Sequence, residues 1–239
     1  MEHDTESDKR VDEEEKDSKV VLLNIVRDLV EDLTSSEEED ERRGEFLDML
    51  QDFVEVLVDS EKDDAVELDT IRFMATFTLQ ALGNVDAALC ILEEGVAMHD
   101  EDGNAFYALG DFYDNVLGKT KEAETLYRQC LELEPDHAPA ANNLGASLIL
   151  RAKGDEDIDR RKSILEEATR VLTAADRANP GYTSYNLACA CALSGDAESC
   201  KEWLQHAKKF DSLPAAEGAK TDEDLSLVSG SEWFAALFV

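Results

Sequence analysis

Residues 103–135, GNAFYALGDFYDNVLGKTKEAETLYRQCLELEP, read as one helical hairpin. Phe106, Leu109, Gly110 and Tyr113 fall at helical spacing on a first helix, and Gly118 ends it. Ala123, Tyr127 and Cys130 face back from a second helix that Pro135 terminates. Small residues, Gly110 and Ala123, stand where the two helices must approach most closely.

A single hairpin cannot bury its own apolar face, so the reading requires recurrence. Downstream, Ala141, Leu144, Gly145 and Leu148 repeat the first helix, and Ala168, Leu172, Ala175 and Pro180 the second, after an expected inserted loop from Lys153 to Ser163. Leu187, Ala188 and Cys191, then Cys200, Leu204, Ala207 and Pro214, give a further copy. Upstream, Met74, Ala75, Leu79 and Gly83 precede Ala88, Leu92 and Gly95, with Asp100 in the proline position. This order of large, Leu-Gly, Tyr, then Ala, aromatic, small, Pro resembles the tetratricopeptide repeat, a unit of about 34 residues. The resemblance covers roughly Asp69 to Pro214 and implies an all-α fold, a right-handed α-solenoid of about four antiparallel helix pairs.

Around those repeats the chain divides by composition. Residues 1–17 are almost wholly charged and are expected to form a disordered acidic tail. Residues 18–64 carry two apolar stripes, Leu22, Ile25, Val26, Leu29, Val30 and Leu33, then Phe46, Met49, Leu50, Phe53, Val54 and Leu57. They predict an amphipathic helical hairpin covering the first repeat, with Ser36 and Glu39 placed for a capping box and Ser35–Ser36 in an acidic context that also suits a kinase. The repeats occupy 65–214. Residues 215–239, with Asp222-x-Asp224-Leu225 and then Phe234-x-x-Leu237, resemble the ending that closes many tetratricopeptide arrays, and the upstream Tyr185-Asn-Leu-Ala-Cys resembles the pentapeptide with which that ending usually begins. An open terminal repeat needs a cap, and Leu225, Trp233, Phe234 and Leu237 would form it.

The chain of 239 residues carries 56 acidic and 23 basic residues, a net charge of -33. Residues 1–64 hold 25 acids and 8 bases, and the remainder 31 and 15. Such a field repels nucleic acid and anionic membranes and attracts basic proteins, with a reach of about 8 Å at physiological salt. The same acidity also serves solubility. No apolar run approaches the ~18 residues of a spanning helix, and the acidic start is unlike a signal or transit peptide. Five cysteines, an odd number at packing positions, fit free thiols in a reducing compartment, cytoplasmic with the nucleus left open.

Motifs for chemistry test poorly. Asp155, Asp157, Asp159 and Glu166 suggest a calcium loop, but Arg160 stands where such a loop needs its sharp turn, and Arg161 and Lys162 oppose the ion. Cys189 and Cys191 point about 200° apart if helical, so with Cys200 and His206 they do not close a zinc site. There is no phosphate loop, nucleophile elbow or His-Glu-x-x-His helix, and no metal, cofactor or enzymatic activity is expected.

The resemblance implies that the first helix of each pair lines a concave face. The matching positions are Phe73 and Phe77, then Tyr107, Asp111 and Asp114, then Asn142, Ala146 and Ile149, then Tyr185 and Cys189. Family members that bind acidic chaperone tails place Lys or Arg there. This chain has Tyr107, Asp111, Tyr185 and Cys189, and Asn143 alone keeps the clamp's asparagine. The expected function is a non-enzymatic adaptor or chaperone taking a basic segment on Phe73, Phe77, Tyr107, Asp111, Asp114, Asn142, Asn143 and Tyr185. The alternative is a structural subunit of a larger assembly, using its convex face or N-terminal helices.

Overall fold

The computed structural model describes residues 5–35, 41–59 and 67–238, all helix and connection with no strand among them. The chain divides into two compact units, residues 1–117 and 118–239.

In the first unit, α1 (Thr5–Ser35) and α2 (Glu41–Asp59) precede α3 (Leu68–Leu82), α4 (Val85–Met98) and α5 (Gly103–Asn115). Leu22, Val26 and Leu29 of α1 are buried, as are Phe46, Leu50, Phe53 and Leu57 of α2. α1 packs against both α2 and α4, and Phe46 stacks on Phe77 of α3 with ring centroids 4.3 Å apart. Helix α1 takes in residues 5–17, the stretch that composition reads as a tail. Its Glu, Lys and Arg residues are good helix formers and extend a helix already nucleated by the buried stripe from Leu22. Ser36 and Glu39, and with them the capping-box and kinase-site readings, lie outside the described residues.

The connection from α3 to α4 is two residues long. Gly83 takes the left-handed conformation (φ 63°) and donates its N–H to Leu79 O, and the Asn84 side chain accepts from Ala87 N at 3.0 Å. Close contact of the pair is set at Gly95, where an added Cβ would stand 2.8 Å from Ile71 Cγ2. Asp102 caps α5, accepting from Asn104 N at 2.8 Å.

The second unit contains α6 (Thr120–Leu133), α7 (Ala138–Gly154), α8 (Ile158–Ala178), α9 (Ser184–Leu193), α10 (Ala197–Lys209), α11 (Ala216–Thr221), a 3-10 turn (Glu223–Leu225) and α12 (Glu232–Leu237). The expected packing residues are in place. Ala123, Tyr127 and Cys130 of α6 are fully buried, as are Leu187, Ala188, Cys200, Leu204 and Ala207 of the α9–α10 pair. Gly145 lets α7 meet α8, since a Cβ there would fall 2.4 Å from Leu172 Cδ2.

The expected loop over 153–163 is instead a three-residue connection, residues 155–157, with α8 running from Ile158. Asp157 caps that helix by accepting from Asp159 N at 3.0 Å and Arg160 N at 3.1 Å. The Arg160 guanidinium lies 3.3 Å from Asp157 and 3.5 Å from Asp155. The alternating aspartates thus form a helix start with its own counter-charge, the ordinary use of Asp at that position.

The C-terminal segment closes the second unit. The 3-10 turn packs on α9 and α12 on α10, burying Leu225, Val228, Phe234 and Leu237. Trp233 remains half-exposed beneath Lys201, whose Nζ lies 5.7 Å from the ring centroid.

Candidate interaction site

In the first unit, Phe73 and Phe77 lie one turn apart on α3 with rings stacked at 6.0 Å, and Phe73 is 54% exposed. Tyr107, Asp111 and Asp114 stand at i, i+4 and i+7 on α5, each half-buried. Tyr107 and Asp111 share a cavity of about 290 Å³ with Arg72, Leu79, Leu92, Phe112 and Val116, between α3, α4 and α5. Asp111 Oδ1 accepts from Asn115 Nδ2 at 2.8 Å. Burial raises the Asp111 carboxyl above the usual carboxylate range and the nearby Asp114 charge adds to this, while the Asn115 hydrogen bond and the more distant Arg72 oppose it. Arg72 itself is held by Asp69 at 3.4 Å.

In the second unit the predicted residues are engaged with their own chain. Asn142 accepts from Asn186 Nδ2 at 2.8 Å, joining α7 to α9, and Asn143 donates to the Tyr127 hydroxyl at 3.2 Å. Tyr185 donates to Asp222 Oδ2 at 2.7 Å, and Cys189 Sγ is 4.0 Å from the same oxygen. Burial first, and then this hydrogen bond to a carboxylate, raise the Tyr185 phenol well above its ordinary value, so it is a permanent donor. Lys153 of α7 pairs with Asp224 at 2.5 Å. The 3-10 turn therefore lies on the first-helix face of α9, at Tyr185 and Cys189, positions the resemblance assigns to a partner, and reaches α7 at Lys153. Ala146 remains exposed on that face and Ile149 is buried.

Two polar clusters of the second unit carry no sequence signal, because their members come from separate helices. Glu124 of α6 is buried and receives Ser147 Oγ (2.8 Å) and Arg151 (2.6 Å) from α7 and Arg128 (3.3 Å) from its own helix, while Glu167 of α8 takes Arg128 at 3.0 Å. Three helices are tied by one carboxylate pair. The second cluster groups Ser184, Asp176 and His206. Ser184 is fully buried and gives its single hydroxyl proton to Asp176 at 2.7 Å, so towards His206 Nδ1, 2.9 Å away, it accepts. Gly181 N also donates to Asp176, and the group fastens α9 to the end of α8 and to α10.

The five cysteines are free thiols; Cys90 is exposed and the other four buried. Burial pushes Cys191 up to about 11 and Cys200 up to about 12, and raises Cys189 as well, which suits packing residues and not reactive thiolates. Among the described residues no group of three or more His, Cys, Asp or Glu side chains is placed to hold a metal, and no helix is long and apolar enough to cross a membrane.

The sequence model described as "Tetratricopeptide repeat" matches residues 103–137. A comparison with curated proteins gives no match. Among solved structures, TTC0263, a thermophilic TPR protein of Thermus thermophilus, aligns with a TM-score of 0.52 and 24% identity over 67% of this chain and 86% of its own. MamA aligns with a TM-score of 0.49 and 15% identity over 73% of this chain and 96% of its own. The all-α helix pairs share their fold with the first of these. Residues 103–137 thus match one tetratricopeptide repeat, and the chain shares the all-α fold of a solved TPR protein.

Proposed function

We propose that this protein is a non-enzymatic adaptor or chaperone that takes a basic protein or peptide segment on the first-helix faces of α3 and α5. A tetratricopeptide fold is a protein-interaction scaffold, and the site must be argued from its own chemistry. One observation carries the reading. Residues 65–117, which supply α3 to α5, hold ten acidic residues against the single base Arg72, with an exposed Phe73 and a half-buried Tyr107 among them. Carboxylates there set the sign and rate of encounter, and aromatic faces give a cation somewhere to stack, roughly 0.5–2 kcal/mol per contact. Five free thiols accord with a reducing compartment, cytoplasmic or nuclear.

A pull-down of the full chain with polyarginine, washed at low and high salt, tests the reading. Groove binding to a basic segment weakens as salt rises; binding that is indifferent to salt overturns it. The second reading, a structural subunit, is favoured by Val20, Val21 and Val58, exposed on α1 and α2 at 55%, 37% and 61%. An apolar assembly contact through them survives the high-salt wash.

A further inference from the structure

We infer that the cavity between α3, α4 and α5 is a socket for one arginine side chain of the partner, with Asp111 as its anchoring carboxylate. The inference rests on the basic-segment reading above and narrows it to one pocket and one functional group. At about 290 Å³ the cavity sits at the floor of the ~300–1,000 Å³ range of small-molecule sites, which suits a single long side chain. Leu79, Leu92, Phe112 and Val116 line it with apolar surface that accepts a methylene stem, and Tyr107 adds a flat ring. Asp111 supplies the one carboxylate of the lining.

Charge complementarity commits the occupant. Among the described residues no basic side chain lies within ion-pair distance of Asp111; its hydrogen-bond partner is the neutral Asn115, and Arg72, the one base that lines the cavity, acts on it only at longer range and has its guanidinium 3.4 Å from the exposed Asp69. A partly desolvated carboxylate with no paired cation gains most from a donor that is itself weakly hydrated and planar. The guanidinium meets both conditions, stacking on an aromatic face and presenting a fork of N–H groups, whereas the ammonium of lysine is a strongly hydrated point charge. The raised pKa of Asp111 accords with this: a bound cation favours the ionised form, so binding expels a proton at pH values near that pKa.

The test uses the full chain and capped peptides Gly-Leu-Arg-Leu-Gly, the same peptide with citrulline for arginine, and the same with lysine, titrated calorimetrically. Citrulline keeps the shape and removes the charge. The arginine peptide should bind at least about tenfold more tightly than the citrulline peptide and several-fold more tightly than the lysine peptide. Asp111→Asn should erase the arginine-to-citrulline difference, and Asp111→Glu should restore part of it. The arginine affinity should hold at neutral pH and fall as pH drops through the Asp111 pKa, a dependence absent from Asp111→Asn. Equal affinity for arginine and citrulline peptides, or a preference that survives Asp111→Asn, overturns the socket. If polyarginine still binds under those outcomes, the basic-segment reading stands and the socket alone falls; if polyarginine fails as well, both fall. Circular dichroism confirms that each variant is folded.

Discussion

Two first-helix faces at matching repeat positions differ in what their side chains touch. On α3 and α5, Phe73 is largely exposed and Asp111, among the described residues, has no cation within ion-pair distance. On α7 and α9, Tyr185 is spent on Asp222 and Lys153 on Asp224, both from the chain's own C-terminal turn. Charge follows the same division: residues 65–117 carry ten acids and one base, while residues 118–239 carry 21 and 14. A repeat position therefore does not fix a role. What covers the face decides whether its polar residues meet a partner or hold the fold.

The sharpest way to break this comparison is to uncover the second face. Truncation after Ala219 removes Leu225, Val228, Phe234 and Leu237, four buried side chains each worth about 1.5–3 kcal/mol. We expect a loss of stability of roughly 6 kcal/mol or more, seen as a large fall in Tm or as aggregation. Unchanged melting would mean that the cap is a loose tail.

Next in size is the carboxylate that ties α6 to α7. Glu124→Leu leaves Arg128 and Arg151 without their shared partner, and because both are about one-third exposed the cost should be near 2 kcal/mol, below the 3–5 kcal/mol of a fully buried pair. Urea unfolding measures it. A cost under about 0.5 kcal/mol would mark the network as a surface ion pair.

Reversing charge on the open face should leave the fold intact. Asp111→Lys with Asp114→Lys should preserve Tm within a few degrees and weaken polyarginine binding at least about tenfold at fixed salt, since neither residue packs in the core. A folded double variant that binds as tightly as the parent would move the function to α1 and α2.

The smallest effect is expected at Tyr185→Phe, about 1 kcal/mol of stability from one half-buried hydrogen bond, with polyarginine binding unchanged. The pH dependence has a defined sign. Because the folded phenol is raised above its ordinary value of 10.0, its contribution is complete below about pH 10 and declines as pH rises beyond it. Tyr185→Phe should flatten that alkaline decline in Tm.

Much of this was legible without coordinates. The spacing of Leu109 and Gly110 specifies one helix and that of Ala123, Tyr127 and Cys130 another because packing periodicity is local, and Leu225, Phe234 and Leu237 announce a cap because an open repeat face is apolar. The loop expected over 153–163 is a helix start for a local reason as well: Asp157, by type a ligand or a loop residue, caps α8 by accepting from Asp159 N and Arg160 N. Trp233, expected inside the cap, stays half-exposed because Phe234, its neighbour at a different helical angle, takes the buried place.

The sequence by itself determined the helices, the repeat, the acidic balance and the candidate faces, since these depend on spacing and composition. Only the tertiary structure decided what covers each face: Phe46 of α2 on Phe77 of α3, and the C-terminal turn on Tyr185 of α9. The segment that closes the second one lies 37 residues from Tyr185, the partners of Glu124 lie up to 27 residues away on α7, and Ser184 meets His206 across 22. Hydrogen bonds and burial depend on separation in space, and a chain folded into helix pairs brings together residues whose distance along the sequence carries no periodic signal.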